Sequence, residues 1–262
     1  MSNPTIADRW IKAIETIGKV STNKNGTYDV LIDEIKIKAK TIEDLLIITE
    51  VFIKGIYNHV SLEKTIVCDV GMNIGVASLF FAKNKNVLKV YGYEPFEPTY
   101  KDALENFKRN PTLAKKISPS MVGLSDTEAE MEAEYSSEIK GSISIHRVNT
   151  VGMALGDESK KKVITKEHIV LKRASKIINE IADECKKEKA KLVLKLDCEE
   201  SEYSVLKELS QSKLLGKIDV IMPEWHNQGP KEIESYLLKS NFHVFSLLPN
   251  QKATGHIFAT KK

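Results

Sequence analysis

Between Thr65 and Lys83 the chain reads TIVCDVGMNIGVASLFFAK. A short apolar run stops at Asp69, glycines follow at 71 and 75, and an apolar helical pattern begins. A buried strand that passes into a helix through such a bend belongs to an α/β fold with a doubly wound, mostly parallel sheet. The alternation repeats downstream. Expected strands cover 66–70, 88–93, 116–124, 192–197 and 217–222, with helices over 74–84, 97–109, 174–187, 202–211 and 230–240. Residues 242–247 and 256–260 close the sheet as a hairpin across PNQK (249–252). The segment 126–172 is less regular, with short strands expected at 142–148 and 163–171, and reads as an insertion or lid. Ligands in such sheets bind beyond the C-terminal strand ends, near the switch in strand order.

Ahead of the alternation, residues 5–17 form an amphipathic helical pattern and NKNG (23–26) a turn. Residues 28–39 alternate like a hairpin, and Thr41 with Asp44 resembles a capping box opening a helix. This predicts an N-terminal cover over residues 1–61 and one sheet domain over 62–262.

Charge and cysteine usage narrow the function classes. The 39 basic and 36 acidic side chains leave a net charge of +3, which argues against a nucleic-acid partner with its concentrated basic face. The N-terminal MSNPTIADRWIKAIE carries charges throughout, unlike a secretory signal, and no apolar run approaches the roughly eighteen residues of a membrane span. Cys68, Cys185 and Cys198 stand at no metal-ligand spacing and read as reduced thiols. A cytoplasmic location is expected, with peripheral membrane attachment left open.

The bend itself points to a ligand class. Gly71 and Gly75 lack a Cβ, so the backbone can turn sharply and approach a ligand. The helix start beyond offers free N–H groups and partial positive charge, while Asp69 adds a negative one. A dinucleotide site needs G-x-G-x-x-G, and Asn73 and Val76 stand where the second and third glycines belong. The mixture suits a zwitterionic amino-acid tail beside a sulfonium better than a pyrophosphate; a plain strand-to-helix turn is the competing reading. The second strand ends in YGYEP, with Glu94 placed 23 residues after Gly71. An acid about 20 residues on is positioned to accept hydrogen bonds from both ribose hydroxyls of an adenosine. Alone, Glu94 would read as a solvated acid at a strand end.

Taken in order, EVFIKGIYNHV (50–60), DVGMNIG (69–75), YEP (93–95), VGLSD (122–126), LKLDCEESEYSVLKEL (194–209) and PEWH (223–226) resemble the FkbM family of S-adenosylmethionine-dependent methyltransferases. The resemblance runs over roughly residues 48–247. It implies a seven-stranded class I methyltransferase (Rossmann-like) sheet with an antiparallel last strand, S-adenosylmethionine as donor, and O-methylation of a hydroxyl on a sugar or secondary metabolite. Position by position, it implies that Asp69, Gly71, Asn73 and Gly75 hold the methionine end and that Glu94 holds the ribose. Ser125 and Asp126 fall where the adenine is met, although Asp126 equally suits a plain turn. Ser78 either reaches the cofactor or packs. The family's D-V-E-G-A-E is here Asp197-Cys198-Glu199-Glu200-Ser201-Glu202, so Glu200 replaces a turn glycine. Met72 replaces a small residue.

Two acid-rich strand ends are candidates for the reacting centre. Asp197 ends a buried strand, where an acid is costly without a partner, and Glu199 and Glu202 follow it. The competing reading is an acidic first turn that complements a helix dipole. Glu224 and His226, two apart on an extended chain, form the other pair, with His226 a candidate base. Lys195 is placed to pair with one of the acids. These acids with His226 also suit a hard divalent cation, but no compact metal motif is present, so no metal ligand is assigned. A small-molecule or glycan acceptor is expected. An RNA or other N-methyltransferase, a nicotinamide-dependent oxidoreductase and a non-catalytic cofactor-binding protein remain alternatives, and homo-oligomerisation stays open.

Overall fold

The computed structural model describes residues 5–59, 61–138, 140, 164–247 and 253–262. The chain opens with α1 (Ile6–Glu15), whose Thr5 and Asp8 make a reciprocal capping box. Strands β1 (Gly18–Thr22), β2 (Tyr28–Ile32) and β3 (Ile35–Ala39) form a separate antiparallel sheet. The second capping box, Thr41 with Asp44, opens α2 (Ile42–Thr49), which runs into a π-helical turn at Glu50–Lys54. Gly55 ends that turn in the left-handed conformation at φ +64°.

The alternating part follows as β4 (Thr65–Val70), α3 (Val76–Lys83), β5 (Val87–Tyr93), α4 (Glu97–Arg109), α5 (Pro111–Ala114) and β6 (Ile117–Ser120). Next come β7 (Gly123–Ser125), β8 (Ala129–Tyr135), β9 (Thr165–Arg173) and α6 (Ala174–Glu188). The chain finishes with β10 (Lys191–Leu196), α7 (Ser201–Gln211), β11 (Val220–His226), α8 (Lys231–Lys239), β12 (Phe242–Leu247) and β13 (Thr254–Lys261).

The central sheet has seven strands in the order β12-β13-β11-β10-β4-β5-β6. From β4 the chain builds outward through β5 and β6, then crosses back to place β10 on the other side of β4. The switch in strand order therefore lies between β4 and β10, and β13 is the antiparallel strand. Every residue of β4 is buried, as a strand covered by helices on both faces requires. One face packs against α6 and α7 through Ile66, Leu194, Ile178 and Leu206. On the other face Val67, Val90 and Val193 share a cluster with Ile14, Ile32, Ile37 and Leu45 of the N-terminal segment.

The expected third strand over 116–124 divides in two. β6 stays in the central sheet as its edge strand, where Pro119, which has no N–H to donate, is tolerated. β7 leaves to pair with β9 in a three-stranded sheet, β7-β9-β8. Gly123 permits that pairing, since a Cβ there would stand 2.8 Å from Leu171 Cδ2. The expected strand at 163–171 is β9, whereas the strand expected at 142–148 and the PNQK turn lie outside the described residues. No described helix is long and apolar enough to cross a membrane.

Candidate active site

The C-terminal ends of β4, β5, β10 and β11 converge at the switch point. Parallel pairing places Asp69 opposite Lys195, so both side chains leave the sheet on the same face. They form an ion pair at 3.0 Å with 0% and 2% of the side chains exposed. The Ser78 hydroxyl donates to the second Asp69 oxygen at 2.6 Å. Lys195 also donates to the carbonyls of Gly71 (2.5 Å) and Val70 (3.3 Å) and lies 3.7 Å from Asp197. Burial alone would lower the Lys195 pKa, but Asp69 and Asp197 raise it, so the ammonium stays charged. Asp69 thus faces inward, as an anchor for the bend.

The two glycines of the bend serve the chain's own packing. Gly71 has φ +75°, and a Cβ there would stand 1.6 Å from the Asp197 carbonyl oxygen. Gly75 has φ +83°, and its added Cβ would lie 2.6 Å from the Phe107 ring of α4. Gly75→Ala is therefore expected to cost roughly 2 kcal/mol, from the left-handed backbone and the crowded ring together, read as a lower urea midpoint at unchanged m-value. Met72 is accommodated because β5 carries Gly92 beneath it, where a Cβ would meet Met72 Sδ at 2.3 Å.

Glu94, just past β5, is buried beside this bend. Its Oε2 accepts the Asn73 N–H at 3.0 Å and its Oε1 accepts the Phe96 N–H at 3.1 Å. Burial pushes the carboxyl up to about 7, against the opposing effect of those two donors. Asn73 itself is left-handed at φ +50°, with its Oδ1 accepting the Ile74 N–H. Ser125 is buried at the end of β7 and donates to exposed Asp126 at 3.1 Å. Ser125 thus stands in the three-stranded sheet, beyond the split from β6, and Asp126 in the bend that follows β7.

Across the switch point, Asp197 follows β10 with its side chain 28% exposed. The Tyr57 hydroxyl donates to its Oδ2 at 2.9 Å. Burial would raise this carboxyl, but Lys195, His226 and the Tyr57 hydroxyl hold it below the usual carboxylate range. The turn into α7 keeps its shape without the family's glycine, because Glu199 and Glu200 themselves take φ +48° and +77°. Such conformations cost L-residues about 1–2 kcal/mol each.

His226 ends β11, and its side chain is 3% exposed. Fully buried Glu202 accepts both its backbone N–H (3.0 Å) and its ring Nδ1–H (2.9 Å) through one oxygen. A carboxylate only accepts, so Nδ1 carries the proton, and Nε2 faces Glu199 at 3.5 Å and Glu224 at 3.7 Å. Burial would lower the His226 pKa, but the Glu202 hydrogen bond and the nearby acids hold it well above 6.5. A histidine held this way rests as a cation among acids. Burial pushes Glu199 up to about 8 and raises Glu224 well above its ordinary value. Glu224 also sits opposite His256 of β13, 3.7 Å from its ring.

Asp197, Glu199, Glu202, Glu224 and His226 therefore meet in one cluster, with the Gly71–Gly75 bend and Glu94 alongside through Lys195. Sequence reasoning passed over Tyr57 and His256. Tyr57 sits just beyond the π-helical turn, in a stretch whose periodicity carries no chemical signal, and His256 becomes relevant only through the β11–β13 pairing.

Residues 69–247 match the methyltransferase FkbM domain. The chain belongs to the FkbM methyltransferase family. No curated protein matches it. Among solved structures, the FkbM methyltransferase of Methylobacillus flagellatus KT superposes with a TM-score of 0.50 at 15% identity, over 81% of this chain and 47% of that one. The chain thus spans about half the length of that relative. A ribosomal protein L11 methylase from Lactobacillus delbrueckii subsp. bulgaricus aligns at 13% identity and TM-score 0.41, over 82% of this chain and 79% of that one. TrmK of M. capricolum, in complex with S-adenosylhomocysteine, aligns at 10% identity and TM-score 0.38, over 77% and 65% of the two chains. The FkbM match begins at Asp69 and ends at Leu247, so it takes in the bend, Glu94 and both acid-bearing strand ends.

Proposed function

We propose that this FkbM protein transfers the methyl group of S-adenosylmethionine to a hydroxyl oxygen of a sugar or sugar-containing metabolite. The observation that carries this reading is the side-by-side placement of two unlike half-sites at the switch point. One half is the bend at 71–75 with Glu94 held by two backbone N–H groups. The other is the carboxylate–imidazole cluster after β10 and β11.

In this reading Glu94 accepts hydrogen bonds from the ribose hydroxyls. The methionine end lies against Gly71, Asn73 and the start of α3, whose first-turn N–H groups favour its carboxylate. Asp69 acts by holding Lys195 and Ser78, and Ser125 with Asp126 borders the adenine. In the transfer, the carbon–sulfur bond breaks with its electron pair going to sulfur, and the carbon–oxygen bond forms. The hydroxyl proton leaves to a carboxylate of the cluster. Residues 1–61 serve as a cover on the domain of 62–262, which their shared buried cluster supports. A cytoplasmic setting fits the three free cysteines.

Calorimetry with S-adenosylhomocysteine, followed by transfer of labelled methyl to a panel of free and nucleotide-linked sugars, tests this. Binding with labelled sugar product is the expected result. No binding at millimolar ligand would reject the reading.

A further inference from the structure

Among the described residues, Asp197, Glu224 and His226 each offer one ligand atom, and these atoms all lie within 4.8 Å of one another. Two donors about 2.2 Å from one ion stand about 4.4 Å apart when opposite and about 3.1 Å apart when adjacent, so modest side-chain shifts bring all three within bonding distance of one ion, with the other positions left to water or substrate oxygens. The imidazole is already prepared for such a role. Glu202 takes the Nδ1–H at 2.9 Å and leaves Nε2 facing the carboxylates, so a cation that displaces the Nε2 proton on entering meets the ring in the orientation that outer-shell acids impose on metal-bound histidines. A second observation is independent of this geometry. Glu199 is 9% exposed, its Oε1 lies 3.5 Å from His226 Nε2, and its buried Oε2 has no hydrogen-bond partner among the described residues. An acceptor oxygen without a donor, beside two further carboxylates, is a place where a hydrogen-bond donor is missing.

We propose that Asp197, Glu224 and His226 Nε2 bind one divalent cation of the Mn²⁺ and Mg²⁺ class, with Glu199 accepting a hydrogen bond from its remaining oxygen ligand. Two carboxylates favour a hard ion, and the single imidazole favours Mn²⁺ over Mg²⁺. The inference rests on the methyltransferase reading for its use. There the cation coordinates the acceptor hydroxyl and makes its oxygen easier to deprotonate. The proton passes from that oxygen to Glu199 as the carbon–oxygen bond forms and the carbon–sulfur bond breaks. The acceptors favoured are sugars whose reacting hydroxyl has a neighbouring oxygen, so that both can bind the ion.

Electron paramagnetic resonance titration of the full chain with Mn²⁺ tests the site without requiring activity. We expect one ion bound with a Kd near or below about 100 µM, weakened at least about tenfold by Asp197→Asn, Glu224→Gln and the orienting variant Glu202→Gln. Thermal unfolding of each variant identifies any that no longer fold, and the wild-type titration stands apart from all of them. S-adenosylhomocysteine binding is measured on the same samples. If that ligand binds while no Mn²⁺ binds up to millimolar concentration, the cation site is overturned and the methyltransferase reading stands. If Mn²⁺ binds and the thioether does not, the site stands and its proposed use fails.

Discussion

Lys195→Met is expected to destabilise the fold by about 3–5 kcal/mol, the usual loss when one partner of a buried ion pair is removed. The side chains of Lys195 and Asp69 are 2% and 0% exposed and meet at 3.0 Å. Without the ammonium, Asp69 keeps only the Ser78 hydroxyl as a donor among the described residues. The bend also loses the donor that holds the Gly71 and Val70 carbonyls. Tyr57 loses the cation 5.4 Å from its ring, and Asp197 loses its nearest positive charge. The double variant Asp69→Asn/Lys195→Met should regain a large part of the loss, because no uncompensated charge is left buried. Urea unfolding of the two single variants and the double measures this as a cycle. A single-variant loss under about 1 kcal/mol, typical of a solvated pair, would show that the pair is not the anchor described.

Glu94→Ala should weaken S-adenosylhomocysteine binding by well over tenfold, since each charged hydrogen bond to a ribose hydroxyl is worth about 1.5–3 kcal/mol. The same group predicts a pH dependence. Burial raises its carboxyl to about 7, so in the free protein it is mostly neutral at pH 6 and mostly ionised at pH 8. The ionised form is the stronger acceptor for two hydroxyls. Affinity should therefore rise between pH 6 and pH 8 and level off above, and Glu94→Gln should flatten that rise. Stability runs the other way. The folded carboxyl lies above its ordinary value of 4.5, so the stability that its neutral form lends is fully present below that value. It is lost as pH rises through about 7. Calorimetric titrations at three pH values check the first statement. An affinity that falls with pH, or that Glu94→Ala leaves unchanged, would place the ribose elsewhere.

The structure revises the reasons behind several sequence expectations while keeping their positions. Gly71 and Gly75 read as openings for a ligand, yet what comes closest to them is the Asp197 carbonyl and the Phe107 ring. Asp69 read as a cation-facing acid, and it faces a cation, but one supplied by β10. His226 read as a base near its ordinary pKa, and the structure surrounds it with acids that hold it protonated. Glu200, where the family carries glycine, adopts the left-handed turn itself.

Outside residues 116–172, where the expected third strand divides and β8 was not expected, strand and helix order were legible in the sequence, as were the bend after β4 and the acid after β5, because each is local. Burial imposes a period of two or 3.6 on neighbouring residues, and a strand-to-helix turn limits which residues can occupy it. The interior of the candidate site was not legible in the same way. Tyr57 meets Asp197 across 140 positions of sequence, and His256 meets Glu224 only because β13 runs antiparallel beside β11. Which acids share a space, which nitrogen of His226 is held and which charges lose water depend on strand order and pairing. Those contacts carry no periodic trace along the chain, so the tertiary fold alone decided them.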